Sequence, residues 1–226
     1  MHPNRDRADR ILDAAGALLL RLGYRKVSVD DVARSAGIGK GTVYLHWRTK
    51  EVLFHALLLR ESAELTEELL DWVRADPAEI LPHRMIRASF LLTCRRPLLM
   101  ALLTGNAELL GTMGDRSLKD RQEQVAGRFR EVMHERGLVR DDVPNLDFAL
   151  RTSALGFYII DGFTDGFAEV GLEARADALA HTIRAAFEPP GEPDPAAVSA
   201  TAAELTWALE DLVSGYRKGI YTHDPG

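Results

Sequence analysis

The chain has 226 residues, 46% of them hydrophobic, and a formal net charge of −6, an acidic balance that argues against a general nucleic-acid coat protein. That length can bury a substantial core and hold one large or two small domains. The average charge hides a division, because residues 1–60 carry 11 Lys or Arg against 6 Asp or Glu, net +5, and the remainder 17 against 28, net −11. A basic head on an acidic body concentrates attraction for a polyanion at one end and repels it from the rest. The one cysteine, Cys94, excludes an intramolecular disulfide framework and fits a reducing compartment. The polar start is unlike a secretory signal, and no apolar run approaches the roughly 20 residues of a membrane span. The expectation is a soluble, cytoplasmic protein with no membrane partner.

In chain order, Asp6 followed by Asp9 marks a helix start, and Ile11, Leu12, Ala15, Leu18, Leu19 and Leu22 form its apolar stripe before Gly23 stops it. Ser28 with Asp31 three residues on can satisfy the exposed amides of a first helical turn. Val29, Val32 and Ala33 then share one face, and Gly37 can take the left-handed conformation that ends the helix. Ile38 is an apolar plug in the turn. A second short helix follows over Lys40–His46, with Val43 inward and Lys40, Gly41, Thr42 and Tyr44 largely outside. Neither helix persists alone at such lengths, so both must pack on a longer neighbour in a helix-turn-helix. Thr49 is placed to cap a fourth helix running through Trp72 and ending before Asp76 and Pro77. Lys50 in its first turn is unfavourable against the helix dipole, a conflict that a nearby external phosphate relieves.

This stretch resembles the DNA-binding module of the TetR family of transcriptional regulators. The resemblance rests on Gly37, Ile38, Gly41, Thr42, Val43, Tyr44, Leu45, His46, Trp47 and Lys50, on I-L-D-A-A at Ile11–Ala15, and on L-G-Y at Leu22–Tyr24. It covers about the first 55 to 60 residues. It implies an all-α protein: a three-helix DNA-binding head over residues 1–50, then a multi-helix ligand-binding and dimerisation body over 51–226. It also implies that Lys40–His46 enters the major groove, with Ser28, Gly41, Thr42, Tyr44, His46 and Lys50 at positions that touch DNA, chiefly its backbone. Lys40 falls at a base-facing position and is the preferred donor to a guanine edge. Tyr44 and Trp47 also suit plain packing.

Beyond Trp72 the chain predicts further helices over Pro77–Thr93, Leu98–Leu110, and Asp115 to Gly137, with a break at Gly111 and Gly114. Val139–Leu146 is a connector. The Phe148–Phe167 run is apolar nearly all round, which implies burial on more than one side by its own domain or by a partner chain. Glu173–Phe187 is another helix, Glu188–Ala197 a stiff polar connector, and Ala202–Tyr216 a terminal helix. No strand-like alternation competes.

The seven histidines form no metal set, no cofactor is expected, and H-E-x-x-H, G-x-S-x-G and phosphate-loop patterns are missing, so an enzyme is not expected. Gly39-Lys40-Gly41-Thr42 resembles a G-K-T but lacks the upstream glycine and the preceding strand. The resemblance implies a homodimeric repressor of a palindromic double-stranded DNA operator, released by a small, largely hydrophobic effector. Phe90, Met100, Leu103, Phe129, Met133, Phe157 and Tyr158 are candidates for the apolar wall of its pocket, with Asn106 and Asp161 as orienting polar groups. The helices Leu150–Phe163 and Ala176–Phe187 resemble the family's dimer seam, which assigns Leu155, Ile159, Phe163, Ala176, Leu179, Ile183 and Phe187 to it. Both sets also suit ordinary core. The alternative is an all-helical adaptor binding protein or RNA without small-molecule control.

Overall fold

The computed structural model describes residues 3–103, 116–160, 166, 167 and 169–221. The candidates Asn106, Asp161 and Phe163, and the side chain of Leu103, lie outside the described set. The fold is all-α. The helices are α1 (Pro3–Leu22), α2 (Val29–Ala36), α3 (Lys40–His46), α4 (Lys50–Ala75), α5 (Pro82–Cys94), α6 (Pro97–Leu103), α7 (Arg116–Glu135), α8 (Leu146–Ile159), α9 (Leu172–Phe187) and α10 (Pro195–Tyr221). A 3-10 turn spans Pro77–Ile80, and no strand occurs among the described residues. None of the described helices is long and apolar enough to cross a membrane.

Three boundaries around prolines differ from the sequence reading. α1 begins at Pro3 rather than Asp6, since the fixed φ of proline suits a first helical position. The Pro77–Thr93 segment is two elements. Leu81 precedes Pro82 and is held extended at φ −58°, ψ 141°, as a residue before proline prefers, which separates the 3-10 turn from α5. α10 starts at Pro195, seven residues before the expected Ala202, because Asp194 caps it by accepting the Ala196 amide at 3.0 Å. The Asp-Pro pair in the polar connector is thus a helix start.

The chain forms two compact units. The first holds Met1–Glu64, Arg96–Leu118 and Val213–Gly226, so the unit containing the expected 1–50 head also takes in α6 and the end of α10. Its α1 packs on α2 and α6, and α2 packs on α3. Ile11, Leu12, Ala15, Leu18 and Leu19 are buried as the stripe predicts, while Leu22 at its end is exposed. At Gly16 a Cβ would lie 3.6 Å from Leu57 and 3.8 Å from Leu98, which places α4 and α6 directly against α1.

The second unit holds Leu65–Arg95 and Lys119–Leu212. At its centre α5 packs along α9, and α8 touches both. Phe90 and Leu91 of α5 form one buried cluster with Ala176, Leu179, Ile183 and Phe187 of α9. A separate cluster joins Val73, Ile80, Leu81, Val132, Met133, Val198 and Leu205. The buried Glu188 carboxylate accepts the His83 amide at 2.7 Å and lies 2.9 Å from its Nδ1, tying the start of α5 to the residue after α9.

Candidate nucleic-acid interface

The helix-turn-helix is set by local chemistry. The Ser28 hydroxyl oxygen accepts the Asp31 amide at 3.2 Å, and the Asp31 carboxylate accepts the Ser28 amide at 3.2 Å, a reciprocal cap of α2. The Ser28 hydroxyl also donates to that carboxylate and holds its pKa below the usual carboxylate range. Gly37 is left-handed at φ 67°, and the Ile38 amide closes on the Ala33 carbonyl at 3.0 Å. These two devices bound α2 and turn the chain into α3. Val29, Val32 and Ala33 are buried beneath the turn.

On α3, Val43 points inward and is fully buried, whereas Lys40, Gly41, Tyr44 and Leu45 form an exposed face and Thr42 is half-buried. A Cβ at Gly41 would meet nothing within 4 Å, so this face is bare at its middle. Lys40 Nζ donates to Asp30 at 2.8 Å and lies 5.9 Å from the Tyr44 ring centroid. That hydrogen bond to Asp30 raises the ammonium's pKa.

The other candidates are placed differently. His46 is buried, 5% exposed, with its ring 5.4 Å from that of Trp47. Ser28 is engaged in the α2 cap. Lys50 donates to the Tyr24 carbonyl at 2.5 Å and lies 4.1 Å over the Tyr24 ring. The apparent conflict of a cation at the start of α4 is therefore relieved inside the chain, by a carbonyl and an aromatic face, rather than requiring an external phosphate. Burial lowers the Lys50 pKa. Tyr24 donates to Glu51 at 3.0 Å, and burial, then Glu51, push its pKa up to about 12. Trp47 ends α3 by donating its amide to the Val43 carbonyl at 2.9 Å and is buried, in keeping with the packing role.

Two surface residues escaped the sequence reading. Leu45 is 62% exposed beside Tyr44, and its i+4 spacing from Gly41 would have revealed it. Asp30, the counter-charge of Lys40, left no sequence signal, since the pair forms only when the turn brings α2 and α3 together.

In the second unit the expected seam residues of α9 are buried in the monomer. Ala176, Leu179, Ile183 and Phe187 cluster with Phe90 and Leu91 of α5, the ordinary-core placement that their spacing also suits. The α9 surface left open carries Ala174, Ala178 and Ala185 together with Glu173, Asp177, His181, Thr182 and Arg184. α8 differs: it has no buried residue, Leu155 is 39% and Phe148 71% exposed, and Ile159 is half-buried. The expected pocket residues fall in separate groups. Phe90 meets Phe157 edge-on at 6.5 Å and Tyr158 at 5.0 Å, and burial raises the Tyr158 pKa. Met133 and Phe129 belong to the other cluster, and Met100 to the first unit. Phe157 also lines a cavity of about 540 Å³ with Thr152, Gly156, Ile160, Val170 and Ala178 among its other walls.

Residues 11–57 match the family of bacterial regulatory proteins, tetR family. The chain is 30% identical over 122 residues to the uncharacterised HTH-type transcriptional regulator YhgD of Bacillus subtilis, a match covering 53% of this chain and 62% of that relative. The chain thus spans about three-fifths of the length of that curated relative. Its fold resembles that of a putative tetR family transcription regulator from Shewanella sp. PV-4, with a TM-score of 0.57, 19% identity, and coverage of 81% of this chain and 98% of that one. A gamma-butyrolactone receptor (ArpA like protein) aligns with a TM-score of 0.51, 22% identity, and coverage of 91% and 98% respectively. With the capped α2, the left-handed Gly37 and the exposed α3 face in one unit, and with this match over them, residues 11–57 carry the helix-turn-helix module of the tetR family of bacterial regulatory proteins.

Proposed function

We propose that this chain is a repressor that reads a palindromic DNA operator as a homodimer and leaves it when a small, largely apolar effector binds. The observation that carries the DNA reading is the exposed α3 face, with a cation at Lys40, an open backbone at Gly41 and an aromatic at Tyr44. A bare glycine lets the helix approach base edges closely, and one lysine is suited to the acceptors of guanine in the major groove. Thr42 supplies a hydroxyl suited to phosphate. Lys50 retains donors beyond the one on Tyr24, since an ammonium has three.

Two-fold pairing is what spaces two such helices one turn of DNA apart, roughly 34 to 36 Å. α8 supports that pairing, because an apolar helix with no buried residue leaves surface for a second copy to cover. In this reading the seam uses Phe148, Leu155 and Ile159 of α8 with Ala174, Ala178 and Ala185 of α9. The effector contacts we assign to Phe157 and Tyr158 over Phe90, an aromatic group that offers apolar surface and one hydroxyl.

A titration of full-length protein with a duplex selected from a random pool tests the reading. Two protomers per symmetric duplex, and affinity that falls steeply with salt, are expected. One protomer per site, or equal binding to RNA, would instead favour a protein- or RNA-binding adaptor. An effector copurified with the protein should bind free protein more tightly than DNA-bound protein, because the coupling is reciprocal.

A further inference from the structure

The last turns of α10, Val213–Tyr221, belong to the same compact unit as the helix-turn-helix. Val213, Tyr216 and Ile220 are buried there, at the i, i+3 and i+7 positions of one helical face. Trp47 Nε1–H donates to the Ile220 carbonyl at 3.1 Å in a buried hydrogen bond. The last four carbonyls of a helix have no partner within it, and a buried indole N–H needs an acceptor, so each group satisfies the other. Tyr221 donates its hydroxyl to Asp9 of α1 at 2.9 Å, and the Arg5 guanidinium lies 5.3 Å over the Tyr221 ring. At Gly219 a Cβ would stand 2.7 Å from Cδ1 of Leu59 on α4, so a side chain there would require the end of Leu59 to shift.

The contact with Trp47 matters because Trp47 also terminates α3, its amide closing on the Val43 carbonyl at 2.9 Å. One residue therefore joins the end of α3 to the end of α10, 173 positions away. We propose that Val213–Tyr221 is an integral part of the DNA-reading head, in which the Ile220 carbonyl and Gly219 position Trp47 and, through it, the C-terminal end of α3. The consequence for DNA rests on the function proposed above, whereas the geometry stands without it.

Full-length Trp47→Phe, Gly219→Val and the pair Leu59→Ala with Gly219→Ala test this by segment-resolved amide exchange, with the exposed Trp207→Ala as control on the same helix. Trp47→Phe and Gly219→Val should speed exchange at residues 43–47 about tenfold, the change expected from losing one buried hydrogen bond. The Leu59–Gly219 double variant should return toward wild type, because the shortened residue 59 makes room for the new methyl. Trp207→Ala should change nothing. With the duplex that wild-type protein selects from a random pool, the two impaired variants should lose about tenfold in affinity at an unchanged salt slope, since no phosphate contact is removed. Wild-type exchange at 43–47 in both variants overturns the proposal. So does an equal rise across α1 and α2, which marks general loss of stability rather than positioning. If wild-type protein selects no duplex, the DNA-reading function fails and the exchange data still decide the positioning.

Discussion

α3 and α8 both leave a face uncovered, and the two faces differ in chemistry. On α3 the open side carries Lys40, Gly41, Tyr44 and Leu45, and its one inward apolar residue, Val43, is fully buried. On α8 the open side carries Phe148 and Leu155, and no residue of the helix is buried. A face with a cation and a bare backbone suits a polyanion with grooves, whereas a face of large apolar side chains suits another apolar surface. α9 supplies the contrast: its stripe of Ala176, Leu179, Ile183 and Phe187 is enclosed by the chain itself. Uncovered faces are therefore found where an amphipathic or apolar helix has not used its face internally.

The largest effect should separate α9 from α8. Leu179→Glu places a carboxylate in a fully buried site beside Phe90 and should cost about 3 kcal/mol or more, unfolding the unit rather than splitting a dimer. Thermal denaturation followed by circular dichroism measures that loss. Phe148→Glu with Leu155→Glu alters exposed positions instead, and should leave the helical signal intact while light scattering reports monomers. A folded Leu179→Glu monomer, or a persistent Phe148/Leu155 double-mutant dimer, would break the comparison between the two helices.

The polar face is tested by Lys40→Ala. Loss of the base-edge donor should cost about 1 to 3 kcal/mol of discrimination at one operator position. Repeating the duplex selection with the variant shows whether preference relaxes at that position. A uniform loss across all sequences, with a lower salt slope, would make Lys40 a phosphate contact instead.

The head was largely legible in sequence because its determinants lie within a few residues of one another. Ser28 and Asp31 are three apart, Gly37 ends α2 alone, and Val29, Val32 and Ala33 follow a single helical period. Contacts between distant segments gave no such signal. Lys50 reaches Tyr24, 26 residues away, and Trp47 reaches Ile220, so neither role follows from periodicity. The burial of His46 likewise depends on tertiary packing. In the body, the apolar stripe of α9 was visible, but sequence could not say whether this chain or another would cover it. Pro195 was masked by its composition: one Asp-Pro pair in a Pro-rich connector opens a helix of 27 residues.

The cap that makes the head legible should have a modest, measurable energy. Ser28→Ala removes the oxygen that accepts the Asp31 amide and should cost about 1 kcal/mol. Its pH dependence has a definite sign. The Asp31 carboxyl is held below its ordinary pKa, chiefly by the Ser28 hydroxyl, so its stabilising contribution is present above the ordinary carboxylate range and is lost as pH falls through the folded value. The gap in melting temperature between wild type and Ser28→Ala should therefore narrow under acid, leaving the part due to the oxygen that accepts the Asp31 amide. A gap that stays constant through that titration would show that the cap acts without the carboxylate.

The smallest effect concerns the counter-charge on the reading face. Lys40 and Asp30 are both about half exposed, at 50% and 51%, so solvent screens their 2.8 Å ion pair and it contributes little to stability. On DNA the same ammonium would exchange this carboxylate for an acceptor on the nucleic acid, while Asp30 repels nearby phosphates. Asp30→Asn removes that competition and repulsion together. Affinity for the selected duplex should rise a fewfold, with base preference retained because Lys40 is unchanged. The variant should lose a few tenths of a kcal/mol in stability, since Asp30 also lies in the first turn of α2, where negative charge is favourable. An operator titration beside a melting curve separates the two consequences. Reduced DNA affinity with unchanged stability would mean that Asp30 orients Lys40 for reading rather than restraining it.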